Sequence, residues 1–222
     1  DIVHQFAAAA ENTFDPVTGL FRHAWDESRS MFWADPVTGQ SAHAWGRANG
    51  WYAVALVEVL DIMPKNTPGR DMLAEQLEYL LTAVERYSDP RTGMWYQVLD
   101  CPGREGNYLE STASAMFVYA ALKGARMRCL GPQWRDKAMD LYRRLIDTFI
   151  RENGDGTISM TSCCSVAGLG GKQMRKGDYA YYLSEPVIEN DCKGVGPFIW
   201  ASLEYEAMHD IDYVFDGKCI RD

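Results

Sequence analysis

The sequence predicts an all-α protein made of helical hairpins, arranged as part of an α/α toroid. Three observations lead there. Segments with an amphipathic stripe alternate with segments that are apolar almost all round. A turn of the form Asp-Pro-x-Thr-Gly recurs, each time followed by an aromatic arm. Long loops separate outer helices from the inner helices that follow. An amphipathic helix has one face in water and one on a core, whereas a helix apolar on every side is covered on most of them. Hairpin units that cannot bury their own apolar faces do so by stacking on neighbours. The open alternative is an α-solenoid; the all-apolar inner helices and long connections favour the ring. Six helices make three hairpins, so the chain supplies half of a closed ring of six.

Residues 1 to about 14 read as the end of an outer helix, striped by Phe6, Ala7, Ala10 and Phe14. Asp15-Pro-Val-Thr-Gly19 reverses the chain, with Pro and Gly where a tight turn uses them. Leu20-Phe-Arg-His-Ala-Trp25 alternates like a short extended arm. Asp35-Pro-Val-Thr-Gly39 repeats the turn, and His43-Ala-Trp45 echoes His23-Ala-Trp25. The first inner helix runs from about Gly46 to Ile62, stopped by Pro64 and Pro68. An outer helix over about 70–87 carries Leu73, Leu77, Leu80, Leu81 and Val84 on one face. Asp89-Pro-Arg-Thr-Gly93 is the third turn, followed by Trp95 and Tyr96. The helix from about Ser111 to Arg126 is apolar nearly all round, with Ser111 or Thr112 as its cap. As an inner helix of half a ring, it is expected to lie exposed along one edge. Residues 133–151 form an amphipathic helix ended by Asn153-Gly-Asp-Gly156. A long loop of glycines and polar residues follows from about Ile158 to Lys193, with Gly168-Leu-Gly-Gly171 reading as a flexible loop at the toroid rim. The last inner helix starts near Pro197, at its first position, and ends near Met208. Trp134 and Trp200 fall within helical stripes and read as packing residues.

The totals bound what the chain can do. A length of 222 residues is a single domain, 1–222, with 47% apolar residues to build a core. Seven Trp and twelve Tyr tilt the reading toward carbohydrate. The net charge of −9 argues against nucleic acid, and no apolar run reaches the length of a membrane span. Cys101, Cys129, Cys163, Cys164, Cys192 and Cys219 form no C-x-x-C pair, and two adjacent cysteines make a poor bridge. They read as free thiols of a reducing compartment, the cytoplasm. The chain opens without Met, inside a helix, so targeting is not legible.

The chemistry gathers at His43-Ala-Trp-Gly-Arg-Ala-Asn-Gly-Trp51. Arg47 and Trp51 lie four residues apart at a helix start, with Trp45 just before them. Free N–H groups and the positive end of the helix attract an anion, and a guanidinium grips a carboxylate with two bonds. Equally, the indoles are core and Arg47 pairs with a structural acid. Loop carboxylates able to act as acids are Asp26, Glu27, Glu110, Glu185, Glu189 and Asp191, and hydrolysis of an ordinary glycoside needs two of them across one bond. Asp26 stands out because it follows an aromatic arm; its rival role is capping or pairing with Arg47. His23 and His43 are suited to donating to a sugar hydroxyl or carrying a proton, and lack a third partner for metal. Gly168-Leu-Gly-Gly171 lacks the Lys-Ser/Thr of a phosphate loop, and Gly194-Val-Gly196 reads as steric.

Phe21-Arg-His-Ala-Trp-Asp-Glu27, Trp45-Gly-Arg-Ala-Asn-Gly-Trp51 and Glu110-Ser-Thr-Ala-Ser-Ala-Met116 together resemble the unsaturated rhamnogalacturonyl hydrolases, glycoside hydrolase family 105, related to the unsaturated glucuronyl hydrolases of family 88. The resemblance extends to Gly194-Val-Gly-Pro-Phe198. It implies an (α/α)6 toroid and, as substrate, a pectin-derived oligosaccharide ending in a 4,5-unsaturated uronic acid. It further implies hydration of that double bond by one Asp acting as general acid and then base, without metal or organic cofactor. His23 matches the family's active-site His; Trp45, Arg47 and Trp51 match residues lining the site for the unsaturated ring. The family's catalytic Asp sits in an Asp-Asp motif one helix earlier, which would lie upstream of residue 1. The expectation is therefore that the catalytic acid is absent from this chain, with Asp26 as fallback, and that the incomplete ring self-associates. The alternative is a non-catalytic carbohydrate-binding or partner-dependent fragment of such an enzyme.

Overall fold

The computed structural model describes residues 1–215. The helices are α1 (Ile2–Thr13), α2 (Gly46–Ile62), α3 (Arg70–Glu85), α4 (Ser111–Arg126), α5 (Trp134–Phe149), α6 (Tyr179–Ser184) and α7 (Cys192–Phe215). Four short strands are β1 (Ile150–Glu152), β2 (Ile158–Met160), β3 (Cys163–Cys164) and β4 (Val187–Ile188), paired antiparallel as β1–β2 and β3–β4. The helices form the hairpin layers of an α/α toroid. In the inner row α4 is flanked by α2 and α7; α3 packs behind α2, and α5 behind α4.

The inner row is close because its facing residues are small. A Cβ on Gly50 of α2 would stand 2.9 Å from Met116 Sδ of α4, and one on Gly46 would stand 3.1 Å from Ala113 Cβ. Every residue of α4 from Ser111 to Gly124 is buried. The expected exposed edge is therefore not on this helix: α2, α5 and α7 cover it. The open apolar face lies on α7, at Ile199, Trp200 and Leu203. Trp200 packs on Tyr119 yet stays 40% exposed, while Trp134 is buried as expected. Lys123, the buried basic residue of α4, is held by Glu58 at 2.7 Å and Asp61 at 3.0 Å.

The recurring turn has one physical cause. Asp15, Asp35 and Asp89 each fold a carboxylate oxygen back onto the backbone N–H two residues on, and Gly19, Gly39 and Gly93 take φ of +73, +80 and +74°. Each turn closes an isolated bridge between its flanks, Phe14 with Phe21, Ala34 with Ser41 and Ser88 with Trp95.

Some boundaries differ from the sequence reading. Helix α5 stops at Phe149, and the Asn153–Gly156 turn closes the β1–β2 hairpin rather than only ending a helix. The stretch 158–193 is not one uninterrupted loop: it holds β2, β3, α6 and β4, with irregular chain between them. Helix α7 begins at Cys192, which puts Pro197 inside it. Gly194 also lies within the helix; a Cβ there would meet Cys163 Sγ at 2.9 Å and Thr112 Oγ1 at 3.1 Å, so its role is steric. The cap of α4 is Glu110, which accepts from Ala113 N–H at 2.7 Å, in place of Ser111 or Thr112. Cys101, Cys129, Cys163, Cys164 and Cys192 are free thiols; Cys219 lies outside the described residues.

Candidate functional site

The start of α2 is fixed by the segment 95–99. Trp45 bridges to Val98, and Gly46 N–H donates to Gln97 O at 2.9 Å. The first aromatic arm runs alongside, with His23 N–H donating to His43 O at 3.1 Å. The result is a wall of three rings from three segments. His23 and Trp45 have centroids 4.6 Å apart, Tyr182 of α6 stacks on Trp45 at 6.1 Å, and Tyr182 Oη lies 2.7 Å from His23 Nδ1. Trp45 Nε1–H donates to Gln97 Oε1 at 3.1 Å, and Gln97 Nε2 donates in turn to Tyr182 O at 3.3 Å. Burial holds the His23 imidazole down to about 4, so it is neutral at ordinary pH.

Behind the wall lies a buried ion pair. Arg47 is 2% exposed, and its Nη2 donates to Glu110 Oε1 at 3.4 Å, to Thr112 Oγ1 at 3.3 Å and to Cys164 O. Its Nε has no hydrogen-bond partner. Glu110 also accepts from Cys164 N–H at 2.9 Å. Arg47 thus joins the starts of α2 and α4 to β3, the structural-acid arrangement weighed from the sequence, with its guanidinium carbon 5.5 Å from the Trp45 ring centroid.

The structure brings His23, Trp45 and Arg47 together. It leaves Trp51 as a 42% exposed indole further along α2. Asp26 stands apart from the wall. Its carboxylate accepts from Met31, Ser30 and Ser28 backbone N–H groups and from the Ser28 hydroxyl. These bonds, Met31's first, hold its carboxyl below the usual range. It organises its own loop and does not touch Arg47, whose acid partner is Glu110. His43 pairs with Asp100 at 3.0 Å, and Asp100 also takes Arg22 at 3.1 Å and Ala44 N–H at 3.1 Å. His43, Asp100 and Cys101 bring three ligand-type atoms within 4.8 Å of one another. Arg22 and the Ala44 amide already occupy both Asp100 oxygens, which suits a structural junction better than a cation. Glu185 accepts from Tyr181, Glu189 pairs with Arg151 and Asp191 with Lys193.

Sequence reasoning missed Tyr182 and Gln97. Tyr179-Ala-Tyr-Tyr182 was hidden in the presumed loop; the available signal was Asp178, whose side chain caps α6 by accepting from Tyr181 N–H at 2.8 Å. Gln97 gives no local signal, because its side-chain partners are 52, 67 and 85 residues away.

Inner helices inside outer ones, with an aromatic and cationic cluster at the inner helix starts, define an α/α-toroid protein of carbohydrate-active type. The profile of Glycosyl Hydrolase Family 88 matches residues 1–209, and the chain belongs to that family, whose members are glycosidases. It is 40% identical over 210 residues to Protein Atu3128 of Agrobacterium fabrum, covering 92% of this chain and 89% of that one. It is 32% identical over 132 residues to the unsaturated rhamnogalacturonyl hydrolase YesR of Bacillus subtilis, covering 57% of this chain and 34% of YesR. The structure of a family 105 glycoside hydrolase from C. acetobutylicum ATCC 824 superposes with a TM-score of 0.91 at 47% identity, over 93% of this chain and 57% of that one. The chain thus spans most of the length of the Agrobacterium relative and little more than half of the solved hydrolase.

Proposed function

We propose that this chain binds the 4,5-unsaturated uronyl end of short pectin-derived oligosaccharides and forms part of a glycoside hydrolase that hydrates the double bond. In that reaction a proton adds to C4 of the enol ether and water adds at C5; the resulting hemiketal opens and releases the sugar. The observation that carries the reading is the neutral His23 edge beside the Trp45 face, with the Arg47 cation directly behind. Trp45 backs the site for the sugar ring, and Arg47, buried behind it, contributes positive charge to that side of the site. His23 donates to a sugar oxygen, and Trp51 borders the open side. The family membership and the likeness to YesR support the substrate class.

A second reading, a binding chain that needs a partner for turnover, is favoured by the carboxylates. Glu110 and Asp100 beside the wall are committed to neighbours, and Asp26 to its loop. The three hairpins are read as half of a ring, and Ile199, Trp200 and Leu203 of α7 as an edge for self-association.

The test is quenching of tryptophan fluorescence by an unsaturated disaccharide, with absorbance of the double bond followed in parallel. We expect saturable quenching, weakened about tenfold by Arg47→Lys, which keeps charge but loses the fork, and abolished in Trp45→Phe/Trp51→Phe. We expect no sustained loss of absorbance from residues 1–222 alone. Absence of saturable quenching would sink the binding site, and sustained turnover would remove the second reading.

A further inference from the structure

We infer that Tyr182 is a positioning residue: its hydroxyl donates to His23 Nδ1, fixing His23 as the tautomer that carries its proton on Nε2. The inference rests on a choice between two hydrogen-bond arrangements. The 2.7 Å separation of Tyr182 Oη and His23 Nδ1 allows either atom to be the donor. The Tyr182 hydroxyl has no other hydrogen-bond partner among the described residues, and its side chain is fully buried. If His23 Nδ1–H donated, the phenolic hydrogen would be left without an acceptor and cut off from water, the costly arrangement for a buried polar group. If Tyr182 donates, both groups are satisfied. Nδ1 is then the acceptor, and the proton of the neutral ring sits on Nε2.

The phenol is held for this task from three sides. Its ring stacks on Trp45, its own carbonyl accepts from Gln97 Nε2 at 3.3 Å, and its N–H donates to Asp178 O at 3.2 Å within α6. His23 is equally constrained, by the Trp45 ring 4.6 Å away and by its backbone bond to His43 O at 3.1 Å. The low proton affinity that burial gives His23 agrees with a ring that stays neutral and has one donor to offer. The role is specificity: an Nε2–H recognises an acceptor oxygen, such as a sugar hydroxyl or ring substituent, and does not accept from a donor at the same place. This deepens the proposed function, because it assigns His23 as a hydrogen-bond donor to substrate and not as the base.

The experiment is a long-range proton–nitrogen correlation spectrum of protein labelled with ¹⁵N-histidine. The His23 signals are assigned by their loss in His23→Gln, which separates them from those of His4, His43 and His209. At neutral pH the expected pattern for His23 is a bare Nδ1 and a protonated Nε2. In Tyr182→Phe, which removes only the hydroxyl, the His23 signals are expected to move to a mixture of both tautomers, with those of His43 unchanged. An Nδ1-protonated His23 in the unsubstituted protein overturns the inference, and this result does not depend on how well the variant folds. An unaltered His23 pattern in folded Tyr182→Phe overturns it too. Affinity for the unsaturated disaccharide is measured on the same samples. If the tautomer changes as expected and affinity does not, the substrate-site reading of His23 fails while the tautomer assignment stands.

Discussion

The starts of α2 and α4 occupy equivalent places in two successive hairpins, and they are built in opposite ways. The start of α4 is a closed lock: Glu110 caps its own helix, takes the Cys164 amide and faces Arg47, all out of water. The start of α2 has no side-chain cap; Trp45 stands at that position and carries the aromatic wall. The lock uses an acid where α4 offers free N–H groups, which satisfies them internally. The wall leaves a neutral imidazole beside a buried indole. One repeat position thus serves rigidity in one hairpin and recognition in the next, and Arg47, which starts on α2 and reaches α4, couples them.

The largest expected effect comes from breaking the lock. Glu110→Ala leaves the Arg47 cation buried without its acid, together with two backbone N–H groups that lose their acceptor. Removing one member of a buried ion pair costs about 3–5 kcal/mol, measurable as a fall in the urea midpoint. The double variant Arg47→Met/Glu110→Gln removes the charge and restores an acceptor, so it should recover most of that loss. If Glu110→Ala melts like the parent protein, the lock does not hold α2 to α4.

An intermediate effect belongs to the wall and is read by pH. His23 has its folded value lowered from 6.5 to about 4. Between those values the unfolded chain binds a proton that the folded chain refuses. Stability therefore rises with pH across this window and falls as pH drops from 6.5 toward 4, by roughly 3 kcal/mol if all of the shift is expressed. His23→Gln should flatten this part of the stability–pH curve. An unchanged slope would show that His23 reaches water, and the wall would then be far looser than its 4.6 Å ring contact indicates.

How far each region was legible in the sequence follows from the range of its interactions. The α2 motif, Trp45-Gly-Arg47, is local, and so are the Asp-Pro-x-Thr-Gly turns, whose Asp–backbone bonds span two residues. Helices with strong patterns, such as α3 and α4, were legible for the same reason. The lock was not: Arg47 meets Glu110 63 residues on and Cys164 117 residues on. No spacing rule reaches so far, and a polar Ser-Thr pair at the α4 start concealed Glu110 as the cap. Pro197 misled the reading of α7 because proline favours a first helical turn, whereas here the helix starts at Cys192. The exposed face of α7 was illegible because Ile199, Trp200 and Leu203 look in sequence like any buried stripe.

The smallest expected effect tests the boundary of the wall, at Asp26. This residue follows the same arm that carries His23, and a reader of the sequence would choose it as the proton donor. A general acid must hold a proton near working pH and release it to the substrate. Asp26 is placed for the opposite: three backbone N–H groups and a serine hydroxyl stabilise its charged form and hold its carboxyl below the usual range. Its bonds close the 26–31 turn, and none reaches His23, Trp45 or Arg47. Asp26→Asn keeps one acceptor oxygen and removes the charge, so the fluorescence titration with unsaturated disaccharide should be superimposable on that of the parent protein. Any turnover measured with a partner present should also be unchanged. A loss of turnover in Asp26→Asn, with binding intact, would make Asp26 the acid, and would require the 26–31 turn to open and bring the carboxyl to the wall when substrate binds.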